Sequence, residues 1–271
     1  MIRLALRVRR ADAELVLAAL LDLAPSGVEE VDEGEIVEYA VYGPPGEVPE
    51  LAELRAAAGG GLVDIVSTEV ADDWGERWRE FHQPVEIGSG TTVLRVRAPW
   101  HEPREGDLVI DPGQAFGTGA HATTKLCLEL MTGVDPATAA GRVLDLGCGS
   151  GVLAIAAGRL GWGVDGGILA VDFDELAVAA TAENAAANRV GVEAARFDLR
   201  DENVPAVPVV LANLLRPLLL TARFAQPPRL LIASGLLAEE GDEVSAHLAS
   251  TLGLRERRRL EAGGWVALEL S

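Results

Sequence analysis

One run of nine residues decides how the carboxyl-terminal part of this chain folds: Val143-Leu144-Asp145-Leu146-Gly147-Cys148-Gly149-Ser150-Gly151. A short apolar strand leads into three alternate glycines, and a helical pattern starts at the last of them. Glycine lets backbone amides approach a ligand closely at the carboxyl end of a strand, next to a helix N-terminus. The run therefore predicts a ligand-binding loop on an α/β sheet rather than a bare turn.

The spacing of the glycines indicates which ligand this loop binds. A dinucleotide site has the spacing G-x-G-x-x-G, whereas this loop has G-x-G-x-G preceded by Asp145. S-adenosylmethionine has an amino-acid end and a sulfonium but no phosphate. We place Asp145 at the mouth of the loop, where a carboxylate suits a cationic ligand and repels a pyrophosphate. Gly147 and Gly149 are accordingly predicted to contact S-adenosylmethionine.

The sequence around this loop alternates between strand and helix patterns. Strands are predicted at 143–146, 168–171, 193–197, 207–212 and 230–233, and helices at 123–131, 151–160, 174–188, 217–224 and 239–252. Such alternation implies a parallel sheet with helices on both faces. Segments 254–259 and 265–270 predict a closing antiparallel hairpin. The fold class is therefore α/β, with the Rossmann-like sheet of class I methyltransferases.

The N-terminal part follows a different pattern. Strands at 2–8, 28–31, 36–42 and 62–70 and helices at 12–24 and 49–58 give the order β-α-β-β-α-β. This order is the ferredoxin-like α+β arrangement. We assign residues 1–70 to a small separate domain, 71–90 to a linker helix and 91–271 to the domain that holds the glycine loop and the predicted S-adenosylmethionine site, which begins with strands at 91–98 and 108–110.

Two acidic residues follow the strand after the glycine loop. Asp172 ends this strand, 21 residues beyond Gly151, where a carboxylate can accept hydrogen bonds from both ribose hydroxyls. Asp174 is the alternative, but its position favours capping of the next helix. We predict that Asp172 binds the ribose.

Asn213 ends the strand that precedes Leu214-Leu215-Arg216-Pro217 and faces the predicted ligand crevice. Methyl transfer to nitrogen needs a free, aligned lone pair, yet a lysine of pKa ~10.4 is neutral in roughly one molecule per few thousand at pH 7. Desolvation and a carbonyl acceptor can favour and orient the neutral amine. We predict that Asn213 is catalytic and also contacts the cofactor; the alternative is that it only caps the following helix.

A second glycine-rich segment, residues 111–124, precedes the sheet. It can form a lid over the cofactor, with Thr124 bonding the cofactor's carboxylate at a helix N-terminus. His121 offers a general base, although a lone histidine at a helix start favours a structural role.

Composition restricts the partners. The 271 residues are 49% hydrophobic and carry a formal net charge of −19, which argues against sustained contact with nucleic acid or an anionic membrane. The acidity favours a cationic partner, or serves solubility alone; residues 1–70 hold 14 acidic and five basic side chains. No segment approaches the ~20 apolar residues of a membrane span. Cys127 and Cys148 make no metal motif. We expect a cytoplasmic, metal-free monomer.

Together these segments resemble the ribosomal protein L11 methyltransferase family, PrmA, over nearly the whole chain. The most specific part is the Phe116-Gly117-Thr118-Gly119 loop combined with the glycine loop; other matching features are Trp74, Trp78, Phe81, His121, Glu183-Asn184-x-x-x-Asn188, Ser234-Gly235 and Trp265. The resemblance implies that the N-terminal domain presents a basic ribosomal protein of the large subunit. The C-terminal domain would then methylate its lysine side chains and terminal amine. It also implies cofactor contacts at Thr124, Gly147, Asp172 and Asn213.

One departure and two alternatives follow from the same residues. Arg216 stands where the family usually has a small residue, which predicts a narrower or more basic acceptor pocket. The acceptor can instead be another protein lysine or a small amine. A non-catalytic nucleotide-binding module is the remaining alternative, against which the G-x-G-x-G spacing and Asn213 argue.

Overall fold

The computed structural model describes residues 2–13, 16, 17, 20, 29–32, 34–43, 54, 55, 59–69, 83–89, 92–111 and 121–271. The chain divides into two compact units, Met1–Phe81 and His82–Ser271. The aromatic segment predicted around Trp74 and Trp78, and the loop around Phe116, lie outside the described residues.

The first unit contains a four-stranded antiparallel sheet of order β2-β3-β1-β4. Its strands are β1 (Ile2–Arg9), β2 (Glu29–Asp32), β3 (Ile36–Gly43) and β4 (Leu62–Glu69). Alternate β1 residues Leu4, Leu6 and Val8 are buried, and they pack in one cluster with Val16 and Leu54, which are helical. The strand order and antiparallel pairing are those of the predicted ferredoxin-like arrangement, whereas most of the two predicted helices, 12–24 and 49–58, lies outside the described residues.

A three-stranded sheet opens the second unit, with β5 (Val85–Ser89) antiparallel to β6 (Thr92–Arg97) and β6 parallel to β7 (Leu108–Val109). Strand β5 corrects the sequence prediction, which assigned all of residues 71–90 to a linker helix. The physical reason is local. Pro84 disfavours a helix that would run through it, and Gly88 has a φ of +99°, which lies outside the helical region.

The main sheet of the second unit has seven strands in the order β10-β9-β8-β11-β12-β14-β13. These are β8 (Val143–Leu146), β9 (Ile168–Asp172), β10 (Glu193–Arg196), β11 (Val209–Asn213), β12 (Leu230–Leu237), β13 (Glu256–Ala262) and β14 (Trp265–Leu270). Strands β8 to β12 are mutually parallel, and the β13–β14 hairpin joins β12 antiparallel. The predicted class I methyltransferase sheet is confirmed.

Helices cover both faces of this sheet. They are α1 (Ala122–Thr132), α2 (Val152–Arg159), α3 (Glu175–Asn188), α4 (Arg216–Thr221) and α5 (Gly241–Leu252). Buried residues of α1, α2 and α3 share one apolar cluster with the sheet, and those of α4 and α5 share a second. Because strands β8 to β12 are parallel, their carboxyl ends lie along the same edge of the sheet. Ligands bind at this edge in sheets of this kind.

Within the described ranges, none of the helices has the length and hydrophobicity needed to cross a bilayer. The same ranges hold no group of three or more His, Cys, Asp or Glu side chains arranged to bind a metal ion.

Candidate functional site

The glycine loop between β8 and α2 has no room for a side chain at two of its glycine positions. Gly147 and Gly151 have φ values of +75° and +79°, in the left-handed region that favours glycine. A Cβ on Gly147 would lie 2.4 Å from Leu214 Cδ2, and one on Gly151 would lie 2.8 Å from Thr181 Cγ2. The Gly147 amide donates to the Val171 carbonyl at 2.8 Å, which ties the loop to β9.

Asp145 does not stand at the loop mouth, which corrects the sequence prediction. Its side chain is 1% exposed, and Oδ2 accepts a hydrogen bond from the Ala154 amide, in the first turn of α2, at 2.9 Å. Oδ1 is buried without a hydrogen-bond partner in the described part of the chain. Burial raises the pKa of this carboxyl to about 7. Asp145 thus fixes α2 beneath the loop, and the argument from its charge to a cationic ligand does not hold.

Asp172 is the carboxylate that contacts the backbone of the glycine loop. Its Oδ2 accepts a hydrogen bond from the Gly149 amide at 3.0 Å, and its Oδ1 accepts one from the Asp174 amide at 3.1 Å. Asp174 caps α3, because its side chain accepts a hydrogen bond from the Leu176 amide at 2.9 Å. The two acids therefore have separate positions, and the one beside the glycine loop is Asp172.

A cavity of about 240 Å³ opens over this loop. It is lined by Leu146, Gly147, Gly149, Val171, Asp172, Phe173, Phe197, Asp198, Leu199, Arg200, Leu214 and Leu218. At its rim Phe173 is 60% exposed, and the Arg200 guanidinium stands 5.6 Å from the centre of its ring. Arg200 also pairs with Asp198 at 2.8 Å, and this pairing holds the pKa of Asp198 low, at about 2.

Sequence reasoning missed Phe173, Asp198 and Arg200. The signal that was available is positional: Phe173 directly follows β9, and Asp198 and Arg200 lie in the loop after β10, at the strand ends where the crevice opens. Nothing in their immediate sequence marks them.

Asn213 ends β11, and its Nδ2 donates to Thr124 Oγ1 at 3.3 Å. Thr124 is completely buried in the first turn of α1 and lines neither the cavity over the glycine loop nor the one beside Asn213. The Asn213 Oδ1 atom is buried and has no hydrogen-bond partner among the described residues. An unpaired buried carbonyl oxygen is costly, and a ligand that donates a hydrogen bond to this atom would remove that cost.

The cavity beside Asn213 has a volume of about 350 Å³. The described residues that line it are His121, Thr123, Asn213, Leu214, Leu215, Leu218, Gly235 and Trp265. Leu214 and Leu218 also line the cavity over the glycine loop, so the two cavities meet at these side chains. We call them the loop cavity and the Asn213 cavity.

His121 has the structural position that its place at a helix start favours. Its Nδ1 accepts a hydrogen bond from the Thr123 amide at 3.3 Å and lies 2.7 Å from Thr123 Oγ1, which makes it the N-cap of α1. Burial, with a smaller effect from Lys125, lowers its pKa. A neutral imidazole that accepts at Nδ1 carries its proton on Nε2, so this arrangement does not favour proton abstraction by His121.

Helix α3 braces the glycine loop from the side. The Thr181 hydroxyl donates to the Gly149 carbonyl at 3.0 Å, and Asn184 Nδ2 donates to the Ser150 carbonyl at 2.9 Å. Asn184 Oδ1 also accepts from the Asp111 amide at 2.9 Å. One amide side chain thus connects the glycine loop with Asp111, the first residue of the second glycine-rich segment.

Arg216 is turned away from the Asn213 cavity. Its guanidinium makes two hydrogen bonds of 2.6 Å each to the Glu243 carboxylate of α5. Leu215 and Leu218, on either side of it in sequence, line the cavity instead. The expectation that Arg216 narrows the pocket or makes it basic is therefore wrong for this conformation.

Comparison with known proteins identifies relatives. Residues 47–271 match the family described as ribosomal protein L11 methyltransferase (PrmA). A ribosomal protein L11 methyltransferase of Pelotomaculum thermopropionicum is 40% identical over 235 residues, which cover 81% of this chain and 72% of that protein. One from Ralstonia pickettii is 36% identical over 299 aligned positions, covering 97% and 96%. The crystal structure of ribosomal protein L11 methylase from Lactobacillus delbrueckii subsp. bulgaricus aligns with a TM-score of 0.56 at 26% identity, covering 69% of this chain and 97% of that one.

Proposed function

Because the chain belongs to the ribosomal protein L11 methyltransferase family, PrmA, we propose that it methylates ribosomal protein L11 at lysine side chains and at the terminal amine. It is a methyltransferase that depends on S-adenosylmethionine. One observation supports an amine as the methyl acceptor. The loop cavity and the Asn213 cavity meet at Leu214 and Leu218, next to Asn213, whose Oδ1 atom has no hydrogen-bond partner among the described residues.

The loop cavity fits an adenosine. Its walls are largely apolar, which suits a base, and the Asp172 carboxylate can accept hydrogen bonds from ribose hydroxyls. A side chain on Gly147 would collide with Leu214, which lines the cavity. A glycine at this position therefore leaves the space between the loop and Leu214 free. We assign cofactor binding to Gly147, Gly149 and Asp172. When bound there, S-adenosylmethionine supplies an electrophilic methyl group.

The Asn213 cavity prepares the acceptor amine. Its three leucines and Trp265 desolvate a bound amine, which lowers the amine's pKa and favours the neutral form that has a free lone pair. Asn213 Oδ1 accepts one N–H of that amine and so fixes the direction of the lone pair. Thr124 holds the other end of the Asn213 amide and thereby sets which atom faces the cavity. In this proposal Thr124 positions Asn213 and does not contact the cofactor carboxylate.

The charge of the chain supports a basic substrate. The formal net charge of −19 is densest in residues 1–70, where 14 acidic side chains stand against five basic ones. A surface of this sign attracts lysine-rich and arginine-rich proteins and repels bare nucleic acid. We propose that residues 1–70 recognise the ribosomal protein, as the resemblance implies.

The test is transfer of radiolabelled methyl groups from S-adenosylmethionine to purified ribosomal protein L11, followed by mass spectrometry of the labelled residues. We expect label on lysine side chains and on the terminal amine, and a loss of label with Asn213→Ala. Label that appears only on RNA, on a different protein or on a small amine in cell extract would overturn the proposed acceptor. Calorimetry that detects binding of NAD but not of S-adenosylmethionine would overturn the enzymatic assignment itself.

A further inference from the structure

The Asn213 cavity has two chemically different sides. On one side is Asn213 Oδ1, a side-chain acceptor that has no hydrogen-bond partner among the described residues. On another side stands the Trp265 indole, which makes a T-shaped contact with the His121 ring, with 5.1 Å between ring centres and 70° between ring planes. The contact with His121, itself fixed as the cap of α1, restricts the orientation of the indole.

The size of the cavity exceeds what a primary amine needs. A water molecule occupies roughly 30 Å³ of liquid, whereas this cavity has about 350 Å³. A lysine head group therefore leaves space for further methyl groups on its nitrogen.

The number of N–H groups on the acceptor decides how it can be oriented. A neutral primary amine has two, a neutral monomethylamine has one and a neutral dimethylamine has none. Asn213 Oδ1 can therefore accept a hydrogen bond from the first two acceptors and not from the third. Orientation of a dimethylated amine needs a surface that attracts methyl groups and positive charge, which is what the face of an indole provides.

We propose that Trp265 determines how far methylation proceeds, by holding amines that already carry methyl groups. This inference rests on the proposed function. In each transfer the nitrogen lone pair forms the new C–N bond while the C–S bond of the sulfonium breaks and its electron pair stays on sulfur. The nitrogen becomes positively charged, and if it still carries a hydrogen it releases a proton to water. Trp265 stabilises this charge at every step, and for the third transfer it does so without help from a hydrogen bond to Asn213.

The experiment compares two acceptors with the full-length enzyme. One is unmethylated ribosomal protein L11, and the other is the same protein after reductive methylation, which converts its amines to dimethylamines. We expect Trp265→Leu to lower kcat/KM about tenfold more for the dimethylated acceptor than for the unmethylated one. Trp265→Phe, which keeps an aromatic face, should restore most of the loss. Asn213→Ala should show the opposite pattern, with the larger loss on the unmethylated acceptor.

Leu237→Ala is the matched control, because Leu237 pairs with Trp265 across the β12–β14 ladder but does not line the cavity. It should leave the ratio of the two kcat/KM values as in the unaltered enzyme. Calorimetric binding of S-adenosylmethionine verifies that Trp265→Leu is folded; if it is not, Trp265→Met takes its place. Equal losses on both acceptors, or an unaltered enzyme that uses only the unmethylated acceptor, would overturn the role of Trp265 and leave the proposed function standing. Failure of the unaltered enzyme on both acceptors would overturn the proposed function.

Discussion

The Asn213 side chain donates a hydrogen bond from Nδ2 to Thr124 Oγ1 at 3.3 Å, across 89 positions of sequence. This contact joins the end of β11 to the first turn of α1, and it leaves Asn213 Oδ1 as the atom without a partner among the described residues. Because this hydrogen bond holds the nitrogen of the Asn213 amide, it also fixes the position of the oxygen Oδ1, which is the hydrogen-bond acceptor. We propose that Thr124 acts through this contact, whereas the sequence predicted that it bonds the cofactor carboxylate.

Thr124→Val should slow methyl transfer without releasing the cofactor. Valine keeps the shape but removes the acceptor for Asn213 Nδ2, and a neutral hydrogen bond contributes about 1 kcal/mol, which corresponds to about a fivefold loss in kcat. Thr124→Ser keeps the hydroxyl and should retain most of the activity. The measurements are kcat and the Kd of S-adenosylmethionine for both variants. A rise in Kd without a fall in kcat would restore Thr124 as a direct cofactor contact.

Asp172→Asn should weaken binding of S-adenosylmethionine by about tenfold to a hundredfold, as expected for the loss of a charged hydrogen-bond partner. The carboxylate accepts from the Gly149 amide and the Asp174 amide, and an asparagine offers only one acceptor oxygen for the two. Isothermal titration calorimetry measures the change.

Asp174→Ala is the control for Asp172→Asn, because Asp174 caps α3 next to the same loop. Loss of a cap costs about 1 kcal/mol, or about 2–4 °C in Tm for a chain of this size. We expect that fall in Tm together with an unchanged Kd. Equal effects of both variants on Kd would mean that Asp172 acts only by shaping the loop.

The sequence predicted the alternation of strands and helices in the parallel sheet, its closing antiparallel hairpin, the glycine loop and the positions of Asp172 and Asn213 at strand ends. Each of these depends on local pattern: alternation of strand and helix, glycine spacing, and a polar residue that follows an apolar run. The orientation of Asp145 could not be predicted in this way. All four residues of β8 are buried because helices cover both faces, so alternation of exposure, which would reveal the direction of a side chain, is absent.

The end of β12 was predicted wrongly for a related reason. The sequence prediction ended this strand at Ala233, yet it continues to Leu237 through an irregularity in its pairing with β14. Gly235 has a φ of +83°, and a Cβ there would lie 2.5 Å from the Leu214 carbonyl oxygen. The glycine therefore allows a close approach of two backbones beside the cavity, and that approach depends on a contact distant in sequence.

Asn184→Ala and Asn188→Ala should separate stability from cofactor binding. Asn188 exchanges two hydrogen bonds with the Val109 backbone, at 2.8 and 2.6 Å, and does not contact the glycine loop. Asn184 makes the equivalent pair with Asp111 and also holds the Ser150 carbonyl. We expect both variants to lose about 1–3 kcal/mol in the free energy of unfolding, and only Asn184→Ala to raise the Kd of S-adenosylmethionine. Urea denaturation and calorimetry provide the two readouts, and a rise in Kd with Asn188→Ala would contradict this division.

Asp145 should make the protein less stable as the pH rises. Burial raises its pKa in the folded protein to about 7, from an ordinary value of 3.8 in the unfolded chain. Between these values the folded protein holds a proton that the unfolded chain has released, so the free energy of unfolding falls as pH increases from about 4 to about 7. Above pH 7 the penalty for a buried, ionised carboxylate is fully present. A pKa difference of this size corresponds to about 4 kcal/mol at most.

Asp145→Asn provides the measurement, because an amide oxygen can still accept from the Ala154 amide and does not ionise in this range. We expect urea denaturation at pH 5 and pH 8 to show that the unaltered protein loses stability relative to Asp145→Asn at the higher pH. Comparison of the variant with the unaltered protein at each pH cancels the effects of all other titrating groups that the substitution does not disturb. A stability difference that is the same at both pH values, or that changes in the opposite direction, would mean that Asp145 is ionised in the folded protein at pH 5. The unpaired Oδ1 would then need a donor from outside the described residues.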